Sequence, residues 1–174
     1  MSIDFDIQES TKIAGVYILK PSISEDTRGN IWTSFLKDEV EELLPSDLYF
    51  KHDKFSTSKN NVLRGIHGDN KTWKLVSCLS GKFFLVVVNW DSNSSEYQKW
   101  ISFEMDASNP YQILIPPKFG NGHLITSKEA IFHYKQSTLY DRESQFTIYW
   151  NDIKLNIPWP IKNPIISKRD KNEQ

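Results

Sequence analysis

The sequence predicts an all-β protein, a jelly-roll β-barrel with one or two short helices. Apolar and β-branched residues come in short runs that are separated by turn residues, as they are in sheet proteins. Ser80 and Gly81 lie between two strongly apolar runs, which is typical of a hairpin turn. The chain contains roughly ten such runs, and that many short strands favour a closed barrel or two packed sheets.

The candidate elements can be placed in order along the chain. Strands are predicted at 15–20, 30–35, 48–56, 73–79, 82–90, 99–104, 111–115, 123–126, 130–136 and 145–150. Residues 37–44 are predicted to be helical, because Val40, Leu43 and Leu44 recur at helical spacing before Pro45. Since no repeat or linker interrupts the 174 residues, we expect a single domain over 1–174. The charged stretch 168–174 has no core pattern, and we expect part of it to be mobile.

The charge balance and the cysteine count narrow the partners and the compartment. Lys and Arg total 21 against 22 Asp and Glu, which is unlike a binder of nucleic acid or of an anionic membrane. We therefore expect a small-molecule partner, no nucleic acid and no membrane. Cys78 is the only cysteine, which excludes an internal disulfide and a four-cysteine zinc site. Residues 1–6 are acidic and form no apolar run, so we expect no signal peptide and a cytoplasmic protein.

Strand alternation assigns two polar residues to faces without deciding which faces are buried. Lys74 shares a face with Val76 and lies opposite Leu75, so either Lys74 or Leu75 points into the barrel. Tyr134 shares a face with Phe132, where a tyrosine is more often part of a core. Both residues remain open to a structural or a functional interpretation.

The segment 62–68 places Arg64 and His67 three residues apart around Gly65, which lets the backbone turn. A histidine at a strand end can be purely structural. The four histidines do not follow the His-x-His, carboxylate and later His pattern of metal-binding barrels, so we expect no metal. Nucleophile elbows and phosphate-binding glycine loops are also absent from the sequence. These exclusions leave proton-transfer chemistry that needs no cofactor.

Short motifs along nearly the whole chain resemble those of the dTDP-4-keto-6-deoxyglucose 3,5-epimerase family, whose members have the cupin fold. Each motif alone is weak, but many in the right order and spacing are specific. The matching segments are Asp26-Thr27-Arg28-Gly29, Phe55-Ser56-Thr57-Ser58, Val62-Leu63-Arg64-Gly65-Ile66-His67, Lys74-Leu75-Val76, Ile115-Pro116-Pro117-Lys118-Phe119-Gly120, Tyr134-Lys135, Trp150-Asn151-Asp152, Ile157-Pro158-Trp159-Pro160 and Ile166-Ser167-Lys168-Arg169-Asp170.

The resemblance implies roles for individual residues and an assembly. The catalytic base falls on His67, its orienting carboxylate on Asp170 and the acid on Tyr134. The substrate-binding positions fall on Arg28, Arg64, Lys74 and Asn121. In the family an N-terminal strand crosses to the partner subunit and carries the arginine that reaches the nucleotide phosphates. The resemblance therefore also implies a homodimer and a nucleotide-diphosphate sugar as substrate.

The implied reaction explains why these residue types are needed. A hydrogen next to a C4 ketone is acidic because the enolate spreads its charge onto the carbonyl oxygen, so a base and a stabilising cation are both required. His67 would be the base, and Arg64 with Lys74 would stabilise the enolate. Inversion then needs a proton from the opposite face, which Tyr134 would donate. Whether C3, C5 or both are inverted does not follow from these residues.

The chain departs from the family at positions that surround the substrate there. Asn121 replaces a histidine, Thr33 replaces a glutamate and Leu85 replaces an aspartate. His52-Asp53-Lys54 stands where the family usually has Gln-Asp-Asn. The segment 52–56, which contains this triplet, together with the segment 64–69 looks like the branch that epimerises GDP-linked 4-keto-heptoses for bacterial capsular polysaccharide.

Two other functions remain open from the sequence. One is a sugar-nucleotide 3,4-ketoisomerase, which we expect to lack the combination of Arg64, His67 and Tyr134. The other is a non-catalytic sugar-binding cupin, for which a base, an acid and Asp170 would be unnecessary. Solvent deuterium should enter C3 or C5 of a 4-keto sugar only with the epimerase.

Overall fold

A computed structural model describes residues 4–171, and these form a β-sandwich in which two antiparallel sheets enclose the interior. One sheet has six strands in the order β1-β2-β10-β7-β12-β5. The other has five strands in the order β13-β6-β11-β8-β9. The strands are β1 Phe5–Glu9, β2 Tyr17–Pro21, β3 Ile23–Asp26, β4 Gly29–Trp32, β5 His52–Lys59, β6 Leu63–Gly68, β7 Lys74–Ser80, β8 Lys82–Asn89, β9 Trp100–Asp106, β10 Gln112–Ile115, β11 Phe119–Ile125, β12 Glu129–Gln136 and β13 Phe146–Thr147. The all-β prediction is confirmed.

The core lies between the sheets, and further apolar layers cover their outer faces. Inward side chains alternate along the strands, for example Phe83, Leu85 and Val87 on β8 and Phe132 on β12. Residues of the helical region pack with Leu75 and Leu114 on the outside of the six-stranded sheet. The segment after β13 covers the outside of the five-stranded sheet. Because β8 and β10 are buried on both faces in this way, their sequences are nearly continuous apolar runs and do not strictly alternate.

The predicted helix is shorter than the sequence pattern suggested. An α-helix covers Lys37–Val40 and a 3₁₀ turn follows at Glu41–Leu43. Leu44 has an extended backbone, because Pro45 disfavours a helical conformation at the residue before it. No helix in the described part of the chain is long and apolar enough to cross a membrane.

Three strands escaped the sequence analysis. Strand β1 is largely polar because it is an edge strand that pairs only with β2. Strand β3 is fully exposed and pairs only with β4, in a two-stranded ribbon outside both sheets. Strand β6 contains two glycines, which are depleted in strands. Prediction of strands from apolar runs thus misses strands that are exposed and strands that contain glycine.

Other boundaries shift where apolar residues pack without sheet pairing. The strand predicted at 48–56 begins only at His52, since Leu48 and Phe50 pack on the outer face of the sheet instead. The strand predicted at 145–150 is reduced to Phe146–Thr147, although Ile148 still exchanges backbone hydrogen bonds with Ile66. Residues 172–174 of the charged stretch lie outside the described residues, as do residues 1–3. Asp170 in the same stretch is 4% exposed, so that stretch is not uniformly without core contacts.

The close approach of β6 and β11 requires glycine at position 65. Gly65 has φ +114°, a conformation that other residues rarely adopt. A Cβ there would lie 2.6 Å from Gly122 Cα and 2.7 Å from the Asn121 carbonyl oxygen. These are backbone atoms that cannot move aside cheaply. The glycine thus lets β6 carry Arg64 and His67 directly against β11.

We predict that Gly65→Ala destabilises the fold far more than Gly29→Ala. Gly29 has a similar φ of +122°, but a Cβ there would meet nothing within 4 Å, so its substitution reports the backbone strain alone. We expect about 1–2 kcal/mol for Gly29→Ala and at least about 2 kcal/mol more for Gly65→Ala, because of the backbone clash. Urea unfolding of both variants measures the difference. Equal losses would show that β6 and β11 can separate without cost.

Candidate active site

A cavity of about 630 Å³ opens between the two sheets and collects most of the predicted site residues. The residues of the predicted set that line it are His67, Tyr134, Asp170, Arg64, Lys74 and Asn121. His67 and Asn121 come from the five-stranded sheet, whereas Tyr134 and Lys74 come from the six-stranded sheet. The volume falls in the range of small-molecule sites.

A short hydrogen bond joins His67 to a buried carboxylate. His67 Nε2 lies 2.6 Å from Asp170 Oδ1, and Ser167 Oγ donates to Asp170 Oδ2 at 2.9 Å. Burial favours the neutral acid, but the hydrogen bond and charge of His67, with Ser167 and the Gly65 N–H, lower the pKa of Asp170 below its ordinary value. The ionised carboxylate accepts the Nε2 proton, so Nδ1 keeps the lone pair. His67 therefore has the tautomer that a general base needs.

Tyr134 supplies a protonated phenol to the same cavity. It lies on β12 with its side chain on the face of Phe132, packed against that ring with centroids 5.3 Å apart. Burial, with the neighbouring Tyr140, raises the pKa of Tyr134 to about 12, and Arg64 opposes this shift. The phenol is thus fully protonated near neutral pH and can donate a proton. Tyr134 is both a half-buried packing residue and a cavity residue.

Lys74 points into the barrel, which resolves the question that alternation left open. It is 5% exposed, and its Nζ donates to Asn121 Oδ1 at 3.0 Å and to the His67 carbonyl oxygen at 3.4 Å. These bonds cross from one sheet to the other. Burial lowers the pKa of Lys74 to about 8, while the charge of Asp69 works in the opposite direction. Leu75, also buried, packs on the outer face of the sheet.

The cavity carries more positive than negative charge. Four cationic side chains line it, against the single carboxylate of Asp170. They are Lys54, Arg64, Lys74 and Arg169. Within residues 4–171 none of the four forms an ion pair with a carboxylate, and Arg64 Nε donates instead to Ser58 Oγ at 2.9 Å. This arrangement suits a ligand with several negative charges.

Arg28 lies away from the cavity of its own chain. It occupies the turn of the β3–β4 ribbon, its side chain is 88% exposed and it pairs with Asp26. The ribbon joins neither sheet within the described residues. The structure of one chain therefore does not bring Arg28 to the other site residues.

Several cavity residues were not assigned a role from the sequence. Lys54 Nζ lies 3.6 Å from the centroid of the Tyr140 ring, and His52 Nδ1 accepts the Tyr140 backbone N–H. Arg169 is held by Thr147 Oγ1 at 3.1 Å. His123 lies two residues after Asn121 on the inward face of β11. Alternation around Asn121 was a signal that could have identified His123, whereas the loop position of Tyr140 gives no periodic signal.

The residues described here contain no cluster of three or more His, Cys, Asp or Glu side chains arranged to hold a metal ion. His67 is hydrogen-bonded to Asp170, and the ring of His123 packs against the rings of Phe83 and Phe132. Proton transfer is the chemistry that the cavity residues themselves support, with one base, one acid and surrounding cations.

Comparison with known proteins identifies the family. A family model described as dTDP-4-dehydrorhamnose 3,5-epimerase matches residues 10–174. The chain belongs to this family. The epimerase of Shigella flexneri is 35% identical over 167 residues, which cover 94% of this chain and 92% of the relative. That of Escherichia coli K12 is 38% identical over 159 residues, covering 90% and 86%.

A solved structure of the epimerase family has the same fold. The dTDP-6-deoxy-D-glucose-3,5-epimerase of Legionella pneumophila, in complex with dTDP-4-keto-L-rhamnose, superposes with a TM-score of 0.90 at 34% identity. The match covers 97% of this chain and 90% of that one. The cupin-type barrel, the enzyme class of isomerase and the epimerase family drawn from the motifs are thereby confirmed. The match favours the epimerase over the ketoisomerase and the non-catalytic cupin.

We predict that Lys74 titrates near pH 8 in the free protein. Burial disfavours its ammonium form, so its ¹³Cε resonance should shift with a midpoint of about 8 instead of the ordinary 10.5. NMR titration of lysine-labelled protein measures this, with Lys74→Gln identifying the resonance. Asp69→Asn keeps an oxygen that can accept the Lys71 and Thr72 N–H groups but removes the charge, so the midpoint should fall further. A midpoint near 10.5, or one unmoved by Asp69→Asn, would contradict this environment.

Proposed function

We propose that this protein inverts C3, C5 or both of a nucleotide-linked 4-keto sugar by proton abstraction and return, without a cofactor. The observation that carries the proposal is the placement of a base and an acid on opposing sheets across one cavity. His67, oriented by Asp170, comes from one sheet, and the protonated Tyr134 comes from the other. A sugar ring between the sheets is flanked by a base on one face and an acid on the other.

The proposed reaction removes one proton from the sugar and returns one proton to it. His67 Nδ1 removes the hydrogen next to the ketone, and the electron pair moves onto the carbonyl oxygen to form an enolate. Arg64 and Lys74 stabilise this negative charge. Asp170 stabilises the imidazolium that His67 becomes. Tyr134 then donates its proton to the carbon from the opposite face, the carbonyl reforms, and a proton passes from His67 to Tyr134 through solvent before the next turnover.

For the substrate we propose a GDP-linked 4-keto-heptose, an intermediate of bacterial capsular polysaccharide. The support is the set of departures from the family motifs, several of which lie at the cavity. Lys54 and Asn121 line it, and Asn121 accepts a hydrogen bond from Lys74. Leu85 is a buried core residue where the family has an aspartate, so the charge distribution differs there. The relatives named above carry names of dTDP-sugar enzymes, and these changes are the reason to propose another nucleotide sugar.

We also propose a homodimer in which the β3–β4 ribbon reaches the partner subunit. The ribbon exposes Ile23 and Ile31, which are 43% and 61% accessible in the single chain. Within residues 4–171 it pairs with neither sheet, and it carries Arg28 at its turn. An exposed apolar ribbon suits burial against a second copy. Arginine suits phosphate because its planar fork donates two hydrogen bonds to the oxygens.

Substitutions of His67 and of Tyr134 should impair different steps of the proposed reaction. His67→Asn should reduce solvent exchange of the C3 and C5 hydrogens by about 10²- to 10⁴-fold, because every enolisation needs the base. Tyr134→Phe keeps the ring but removes the donor, so exchange should continue while inversion fails. NMR of the sugar in deuterated water reads both quantities.

His133→Asn is the matched control for the histidine substitution. His133 lies on the same strand as Tyr134 but on the outer face, where its Nε2 pairs with Asp53 at 3.1 Å. Its substitution should leave exchange unchanged. Wild-type exchange in His67→Asn would remove His67 as the base, and normal inversion by Tyr134→Phe would mean that another group is the acid.

Arg28→Ala should raise KM for the nucleotide sugar much more than it lowers kcat. The diphosphate is bound equally in the ground and transition states, so losing its contact weakens binding without slowing the chemistry. Lys128→Ala, which changes an exposed basic residue in another turn, serves as the control. Sedimentation should show a dimer. A monomer with full activity, or an unchanged KM, would show that each site is built from one chain.

A further inference from the structure

His123 is a cavity residue that the proposed proton transfers do not use. It is 4% exposed and lies on β11 opposite Arg64 of β6 and Leu85 of β8. Its ring stacks flat on Phe132, with centroids 4.0 Å apart and planes 4° from parallel. This packing fixes the plane of the imidazole at the cavity wall. The side chain is therefore held rigidly beside the proposed sugar site.

The imidazole of His123 has an unmet hydrogen-bonding capacity. Its Nε2 is buried and has no hydrogen-bond partner among residues 4–171. A buried polar atom without a partner is costly, so such an atom at a cavity points to a ligand or water that completes it. Burial, together with the charges of Arg64 and His67, lowers the pKa of His123 to about 3. The ring is thus neutral near pH 7 and offers one donor and one acceptor.

The position of His123 indicates which part of a sugar it can meet. Phe132, His123 and Lys74 are among the most deeply buried lining residues, at 3%, 4% and 5% exposure. Phe55 and Tyr140, at 62% and 39%, belong to the open rim. A nucleoside diphosphate is too large for the buried end, so it must leave through the rim. The anomeric carbon then faces outward, and C4, with C3 and C5 on either side of it, faces the buried end.

Two residues of β11, Asn121 and His123, line the buried end of the cavity. Asn121 and Lys74 form a hydrogen-bonded pair, and Lys74 is one of the two cations proposed above to stabilise the C4 oxygen. His123 follows Asn121 by two residues, about 7 Å along the strand. Two groups flank C4: the C3 hydroxyl, which ends one bond from the ring, and the exocyclic arm on C5, which extends farther. The longer arm is the group that suits a residue set apart from Lys74 in this way, so the arm rather than the ketone is paired with His123.

The geometry points to His123 as a specificity-determining residue that hydrogen-bonds a hydroxyl on the C5 arm of the sugar. This inference rests on the proposed epimerase function and deepens it. It assigns a substrate class, a 4-keto sugar with a hydroxylated arm, as distinct from a 6-deoxyhexose that ends in a methyl group. A methyl group against His123 would leave the imidazole nitrogen unpaired. A site built to hydrogen-bond a hydroxyl discriminates strongly against the analogue that lacks it.

The test compares two substrates on the same nucleotide in wild-type protein and in His123→Phe. One is the GDP-linked 4-keto-heptose and the other the GDP-linked 4-keto-6-deoxyhexose. Phe keeps the stacking on Phe132 and removes both nitrogens. The measured quantity is the ratio of kcat/KM for the two sugars, from solvent hydrogen exchange. A loss of overall stability affects both sugars alike and cancels in this ratio.

We expect the wild type to prefer the hydroxylated sugar and His123→Phe to reduce that preference about 10- to 100-fold. His123→Gln, which retains a donor and an acceptor, should keep part of it. His133→Phe is the matched control, because His133 is also a buried histidine with an unpartnered nitrogen, Nδ1, but lies outside the cavity. Its ratio should equal that of the wild type.

Two results would overturn the inference about His123 while leaving the proposed epimerase function intact. An equal fall for both sugars in His123→Phe would mean that the residue only supports the fold. A wild type that prefers the 6-deoxyhexose would mean that the C5 arm does not meet His123. In both cases the wild type still exchanges hydrogen. Absence of exchange with either sugar would instead overturn the proposed function, and the inference with it.

Discussion

The hydrogen bond between His67 and Asp170 is the contact on which the site depends. It joins residues 103 positions apart, one on a central strand and one near the end of the chain. A buried carboxylate is costly unless it is paired, and His67, Ser167 and the Gly65 N–H supply its partners. The bond therefore fixes the C-terminal segment at the cavity and also sets the tautomer of His67. Folding of that segment and orientation of the proposed base are the same event.

The cavity is positively charged because its cationic side chains form no ion pairs with carboxylates of the described residues. Arg64 and Arg169 are held by neutral hydroxyl oxygens, and Lys74 by an amide and a backbone carbonyl. Held in this way, their charge stays available to a ligand, because none of the three forms an ion pair with a carboxylate of the described residues. Burial, and then the charges of Arg64 and His67, lower the pKa of His123, and the charge of Arg64 opposes the rise in the pKa of Tyr134. A diphosphate or an enolate entering this field is stabilised before any side chain moves.

The sequence predicted the barrel and six residues that the structure brings to one cavity, and it failed where a residue's environment is set by distant chain segments. Alternation could not orient Lys74, because Leu75 on the other face is equally buried beneath the helical region. Strand β6 was not predicted, although the motif 62–68 was identified, because glycines are unusual in strands. The structure shows that these glycines allow the close approach of β6 to β11. His123 could have been identified because residues two positions apart on a strand lie on the same face, and His123 follows Asn121 by two residues. Tyr140 could not, because a loop carries no period.

The two-sheet architecture explains why inversion is accessible to this fold. Residues on one strand reach a bound ring from one side only, so a single sheet cannot both remove and return a proton on opposite faces. Here β6 and β12 belong to different sheets, and the cavity between them is lined by His67 and Tyr134. Lys74 ties the sheets together by donating across the gap to Asn121 and to the backbone of His67. The proposed base, the proposed acid and Lys74 are thus held at fixed separations by the barrel itself, which is the preorganisation that proton transfer at carbon requires.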